Sequence, residues 1–372
     1  MAAVLTTDTG DREAGPGSGP GRRRGIALMI GKLVLSLLII SILVFVLTAA
    51  IPGDPARAVL GKAATPAQLV AFRAEHGLNA PLYLQYWHFL TNLLQGKLGT
   101  SFASGQSVTS VIGARLARTF WLVLLAWLIA AAVAVPGGIW TGRRAGGLAD
   151  TVSSGLVLTV AALPEFVIGL LVVFLVAVKL RLLPVNSTTA GFSDTPWGDL
   201  SSYVLPAITI ALTIIPYVTR LTRANAREVN SEPYIRAAIL RGVPGGRLTF
   251  LHVLPNAAPP VVNALALQFA GSIGGVVVTE TVFGFPGIGQ LLVQAVGDRD
   301  LPVVQAITMI IGAVYVIVNT VADQGVRALT PRLRSSQPQS PQPRARQPRA
   351  RQPQAKQPGA TKPGATPPQG AA

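Results

Sequence analysis

The chain has 372 residues, half of them hydrophobic and only 12% charged, with a mean hydropathy of +0.49; ordinary soluble domains carry about 25% charged residues, so a soluble globular protein is excluded. It contains no cysteine, which removes disulfides, thiolate catalysis and cysteine-ligated metal sites together. A net charge of +16 would suggest nucleic acid in a soluble protein, but much of it sits beside apolar stretches, and no nucleic-acid partner is implied.

Residues 1–25 are rich in Gly, Pro and Arg and are expected to form a disordered basic N-terminus. The first long apolar stretch is Ile26–Ile51. Arg22-Arg23-Arg24 before it and Thr48-Ala49-Ala50 near its end imitate a secretory signal, but the run exceeds the roughly 7–15 residues of such a signal's core, so it is read as an uncleaved membrane helix. Five more stretches approach the roughly 20 residues that cross a bilayer: Phe120–Thr141, Val152–Val178, Tyr203–Thr219, Pro259–Val282 and Leu301–Val321. Backbone amides in hydrocarbon must pair within their own segment, so each is read as one helix and the chain as an all-α, polytopic membrane protein with six spans. Residues 26–118 form a first unit of one span plus an extracytoplasmic helical segment, and 119–334 form the core, with a loop at 220–258.

The extracytoplasmic segment carries its own helix signals. Thr65-Pro66-Ala67-Gln68 has capping-box spacing with Pro at the first helical position, and Gly77 stands where that helix would end. A second helix is expected over Pro81–Gln95, with Tyr83, Tyr86, Trp87 and Leu90 on one face at the membrane boundary.

Orientation follows from basic residues in short loops. Arg22–Arg24, Arg143-Arg144, the group Arg220 to Arg247, and Arg327, Arg332 and Arg334 all fall on one side, which places both termini in the cytoplasm. After residue 334 the chain repeats QPRAR-like five-residue units; 335–372 has no apolar face to bury and is expected to be a disordered cytoplasmic tail.

Three features could carry function. Tyr234–Pro255 is a basic, helix-breaking insert between apolar segments; Ala237-Ala238 let another chain approach closely, and Gly242 before Pro244-Gly245-Gly246 ends a helix. Glu280–Leu292 contains Gly284, Pro286, Gly287 and Gly289, which would break a helix at the outer face and turn the chain inward; such backbone must line a cavity or be buried in protein, the plainer alternative being a tight turn between spans. Glu165, after Pro164, is an ionisable residue at membrane depth, where a charge costs at least about 2.5–3.5 kcal/mol unless it faces water or a partner. Glu165 with Pro164, and Gly284, Pro286, Gly287 and Gly289, are read as lining a translocation path, a hydrogen-bonded packing role being the alternative for Glu165.

No G-x4-G-K-[ST] loop, HExxH pair or histidine cluster occurs, so no catalytic residue, metal site or bound cofactor is expected. A stand-alone carrier should show internal repeats or several intramembrane charges, and neither is visible.

The run from Tyr234 to Pro255 resembles the E-A-A-x3-G-x9-I-x-L-P loop of ABC-importer membrane subunits, with Arg236 in place of the acid and His252 in place of Ile. Its Tyr-Ile-Arg-x-Ala start is similar to the dipeptide/oligopeptide/nickel branch of that family, as are Ile51–Pro55, Gly96–Ser101, Glu280–Leu292 and Arg299–Gln305. The resemblance implies a permease of the bacterial inner membrane that forms half of a path for peptides, or for nickel or another small solute, by alternating access. It implies docking of ATPases on Tyr234, Arg236, Ala237, Ala238, Gly242, Leu254 and Pro255. The partners it implies are a second permease, two ATPases that hold ATP and magnesium, and an extracytoplasmic binding protein.

Overall fold

The computed structural model describes residues 20–144, 146–183 and 200–329, and the statements below refer to these. Among them the regular structure is helical. The N-terminal part comprises α1 (Pro20–Ala49), α2 (Pro55–Leu60), α3 (Pro66–Glu75) and α4 (Leu82–Leu94). Then follow α5 (Val108–Arg143), α6 (Leu148–Ala161) and α7 (Glu165–Val172), the last running into a π-helical turn over Val173–Lys179. The C-terminal part has α8 (Leu200–Ser231), α9 (Pro233–Leu240), α10 (Gly245–Leu248), a π turn at Thr249–Val253, α11 (Leu254–Phe283), α12 (Ile288–Asp298) and α13 (Leu301–Leu329).

Five helical segments are long and apolar enough to cross a membrane, and α6 with α7 makes a sixth only as a bent pair. The third span was expected as one helix over Val152–Val178; instead it breaks between α6 and α7 with a bend of 106°. Pro164 is the cause. It has no N–H to continue the ladder and disfavours helical backbone at Leu163, and with φ −61° and ψ 146° it becomes the cap from which α7 restarts.

Three boundaries also move. Helix α1 starts at Pro20, inside the segment expected to be disordered, whereas residues 1–19 and the tail lie outside the described residues. The division at 118/119 falls inside α5, a continuous helix of 36 residues. At about 1.5 Å per residue it is roughly 54 Å long, well beyond the roughly 30 Å hydrocarbon core, so it extends into water as well. The loop given as 220–258 is narrower: Arg220–Ser231 continues α8 and Leu254 already belongs to α11.

The main core gathers α5, α7, α8 and α11, with Leu122, Ile210, Tyr203, Phe283 and Phe285 buried; Tyr203 meets Phe285 edge-on at 4.9 Å. Near the C-terminal end of α5, α5 and α8 approach through Gly138 and Gly142, spaced as Gly-x3-Gly. A Cβ on Gly138 would lie 2.5 Å from Thr222 Cβ, and one on Gly142 would lie 2.8 Å from the Arg223 carbonyl oxygen. Small residues at this spacing let helices touch backbone to backbone in lipid. A second cluster joins the start of α5 to α12 and α13 through Val108, Ile112, Ile288, Leu291 and Ile307.

Outside the spans the cap signals hold. Thr65 and Gln68 make the full capping box with Pro66 at the helix start, and Gly77 has φ +64° just past the end of α3. Asp54 caps α2 and accepts from Arg73 at 2.6 Å; that guanidinium holds its carboxyl below the usual range. The aromatic face of α4 divides: Tyr86 packs on Phe45 of α1 at 5.3 Å, whereas Tyr83 and Trp87 stay exposed.

Candidate functional site

The Tyr234–Pro255 insert folds as a short arm between α8 and α11. Pro233 starts α9, whose φ is preset for a first helical turn, after Glu232 in extended backbone. Ile235 is fully buried and packs with Ala226, Leu248 and Val253, so the arm is anchored by one side. Its other side is exposed: Leu240 is 88% accessible, with Ile239, Tyr234, Phe250 and Leu251 also outward. Arg236 is exposed, and Ala237 and Ala238 are half-buried along the seam. Gly242 follows the end of α9 at φ +78° with open space where a Cβ would stand, a conformation that glycine adopts without strain. Leu254 and the exposed Pro255 open α11.

One contact braces α8, from which the arm springs, and a second fixes the arm itself to α5. Arg223, near the end of α8, forms a bidentate pair with the buried Asp150 at the start of α6 (Nε to Oδ1 2.5 Å, Nη2 to Oδ2 2.7 Å), and Asp150 also accepts from the Gly146 amide. Arg143 of α5 donates to the Gly245 carbonyl at 3.1 Å and to the Thr249 hydroxyl. The exposed face is therefore carried on rigid helices rather than on a loose loop.

At the other end of α11, Gly284 terminates the helix in left-handed backbone at φ +59°. The chain turns through Phe285 and Pro286 and restarts as α12. Gly287 and Gly289 are buried in protein, the first closing on Glu280 and the second on Val277 and Glu280. A Cβ on Gly287 would come within 2.0 Å of the Glu280 Oε1, and one on Gly289 within 2.6 Å of the Val277 Cα.

The turn is organised by Glu280, which no expectation from sequence singled out. Its side chain is fully buried and both oxygens accept: Oε1 takes the Thr119 hydroxyl at 2.6 Å, and Oε2 takes the amides of Gly289 at 2.7 Å and Gln290 at 3.0 Å. Thr119 in turn accepts the Ile288 amide at 2.9 Å. One carboxylate thus ties α11, α12 and α5 together. A second buried acid, Asp300, does the same for the loop before α5, accepting from the Ser101 hydroxyl and the amides of Phe102 and Ala103. Both acids stood inside noted motif runs; their partners, 161 and 199 residues away, gave no local signal.

Glu165 is the first residue of α7, half-buried, and accepts from the Thr279 hydroxyl of α11. Pro164 marks the break, and Gly275 lies beside the carboxylate, 3.6 Å from Oε2 to a Cβ built there.

Family models match in two blocks. Residues 134–335, more than half of the chain, match the binding-protein-dependent transport system inner membrane component, and residues 24–123 match the N-terminal part of such membrane components. The chain belongs to this family. A probable peptide ABC transporter permease, y4tP, of Sinorhizobium fredii is 35% identical over 79% of this chain and 94% of its own length. A glutathione transport system permease, GsiC, of Pectobacterium atrosepticum is 38% identical over 81% of this chain and 96% of its own length. A solved amino acid ABC transporter covers 60% of this chain at a TM-score of 0.42 and 18% identity, too remote to bear on function.

The permease is thus a multi-pass inner-membrane subunit of an ATP-driven ABC importer, a transport component rather than an enzyme, working with ATPase and substrate-binding proteins. The stand-alone carrier or channel drops out with that assignment.

Proposed function

We propose that the permease forms one half of a translocation path for peptides or peptide-like solutes, paired with a second homologous permease, two cytoplasmic ATPases and an extracytoplasmic binding protein. The observation that carries this reading is the arm of α9, anchored by Ile235 and exposing Tyr234, Ile239 and Leu240 between two membrane-spanning helices. An apolar face of this kind suits a partner that pushes on it, and the Arg223–Asp150 and Arg143–Thr249 contacts pass a push into α6, α8 and α5. ATP-driven closure of the ATPases rocks these helices as rigid bodies and exposes a midplane cavity first outward, then inward. This chain binds no cofactor; ATP and magnesium belong to the ATPases. The peptide assignment is supported by the relatives named for peptide and glutathione transport.

Both termini are assigned to the cytoplasm on the arginine clusters. The cysteine-free sequence lets single cysteines report this directly: Gly105→Cys is expected to label from outside, and Gly146→Cys and Gly245→Cys only from inside. Outside labelling at position 245 would overturn the orientation and, with it, the ATPase-docking role of the arm.

Glu165 and Pro164 are assigned to the path, the acid facing water at the break between α6 and α7, with Gly284 and Pro286 at its outer end. The buried Gly287 and Gly289 build the turn that closes that end. In whole cells with the gene replaced, Glu165→Leu is expected to leave the assembled complex intact and to cut uptake of labelled di- and tripeptides by about tenfold or more, the order of one lost charged contact. Uptake at the wild-type rate in that variant leaves Glu165 with only its packing role to Thr279.

A further inference from the structure

At the cytoplasmic end of α5 a cavity of about 450 Å³ opens against the start of α11, within the range of small-molecule sites. Its walls are apolar, from Val135, Pro136 and Ile139 on one side and Phe250 and Leu254 on the other. Its mouth is lined by Arg143, Arg144 and Trp140.

The charge at this mouth is uncompensated. Arg143 spends its Nη1 on the Gly245 carbonyl and the Thr249 hydroxyl, both neutral, and Arg144 lies over the Trp140 ring at 4.8 Å. No carboxylate pairs with either among the described residues. Trp140 is itself half-exposed at the level where the apolar part of α5 ends, the position that tryptophan favours at a membrane boundary.

Depth decides what occupies it. Pro136 lies seven residues inside Arg143, which at about 1.5 Å per residue puts the apolar wall roughly 10 Å below the arginines, at the level of acyl chains. A folded soluble partner does not follow the wall to that depth, a free anion gains nothing from it, and a solute in transit is not retained through purification. We propose that this cavity is a site for one anionic glycerophospholipid, its phosphate held by Arg143 and Arg144 and one acyl chain laid along Pro136 and Ile139. The site ties the lipid to the docking arm, because Arg143 is the residue that holds Gly245 and Thr249.

The test uses the purified complex of permease and partner subunits in detergent, titrated with phosphatidylglycerol or phosphatidylcholine of identical chains, with bound lipid counted by native mass spectrometry. One phosphatidylglycerol is expected to be retained, with phosphatidylcholine weaker by about 25-fold, the effect of two basic residues at a surface. Arg144→Gln, which removes the charge stacked over Trp140 and leaves Arg143 with its contacts to Gly245 and Thr249, should weaken phosphatidylglycerol by about fivefold. Pro136→Trp fills the cavity from an exposed wall position, outside the buried cluster of Ile139 and Ile235, and should expel the lipid with both arginines present.

Equal retention of both lipids, or retention unchanged in Arg144→Gln and Pro136→Trp, overturns the proposal. Competition by inorganic phosphate as effective as by the lipid makes it a free-anion site instead. Displacement of the lipid when ATPases are added to the stripped permease makes the cavity part of the ATPase contact. Quenching of tryptophan fluorescence by brominated phosphatidylglycerol, lost in Trp140→Phe, would locate the bound chain independently.

Discussion

Glu280→Ala is expected to destabilise the permease by at least about 3 kcal/mol, because it strips the acceptor from three donors at once, each buried unmet donor costing about 1–3 kcal/mol. The donors are the Thr119 hydroxyl and the amides of Gly289 and Gln290. Thermal denaturation of the purified protein in detergent should rank wild type above Glu280→Gln, which keeps one acceptor, and that above Glu280→Ala. Gly287→Ala should fall near the alanine variant, since its Cβ would come within 2.0 Å of the carboxylate. The double variant removes the group that the new methyl strikes, so the two losses should not add. Additive losses, or a Glu280→Ala melting curve that matches wild type, would show that the turn is held by something other than this carboxylate.

Gly242→Asp is expected to abolish transport and release the ATPases while the permease stays in the membrane at its normal level. The backbone there has φ +78°, and nothing lies within 4 Å of a built Cβ. A side chain in left-handed backbone costs about 1–2 kcal/mol, less for aspartate, which is too little to unfold a protein of this size. What remains is a new negative charge at the edge of the apolar face of Ile239 and Leu240. Burying that charge in a contact leaves it unpaired and costs several kcal/mol. Co-purification of the ATPases at wild-type yield, with normal substrate-stimulated ATP hydrolysis, would move the docking surface elsewhere. Leu240→Ala, which removes contact area without adding charge, should give a partial loss on the same assays.

Much of this architecture is legible in the residues because the signals are local. Thr65 to Gln68, Gly77 and Gly242 behave as their spacing and chemistry require, since a cap or a left-handed turn is decided within a few residues. The apolar stretches give the spans for the same reason. Pro164 was noted, but a proline in a long apolar run is compatible with a kink as well as with a 106° break, and which one forms depends on how α7 packs against α8 and α11. Helix α12 was missed because its buried residues Ile288, Leu291 and Ala295 sit in a short segment flanked by glycines, where a turn reads equally well. The roles of Glu280 and Asp300 depend on Thr119 and Ser101, which are brought to them only by the packing of distant helices.

The clasp between Asp300 and the loop at Ser101–Ala103 sets an order of assembly. The ribosome delivers residue 300 after another 199 residues have followed Ser101, which at about 5–20 residues per second is a wait of roughly 10 to 40 seconds. Throughout that interval the amides of Phe102 and Ala103 lack the acceptor that the folded protein gives them. The segment between α4 and α5 therefore takes its final form last, when α13 inserts. A chain released short of Asp300 lacks this clasp, and added protease is expected to cut it between α4 and α5 where the finished protein resists.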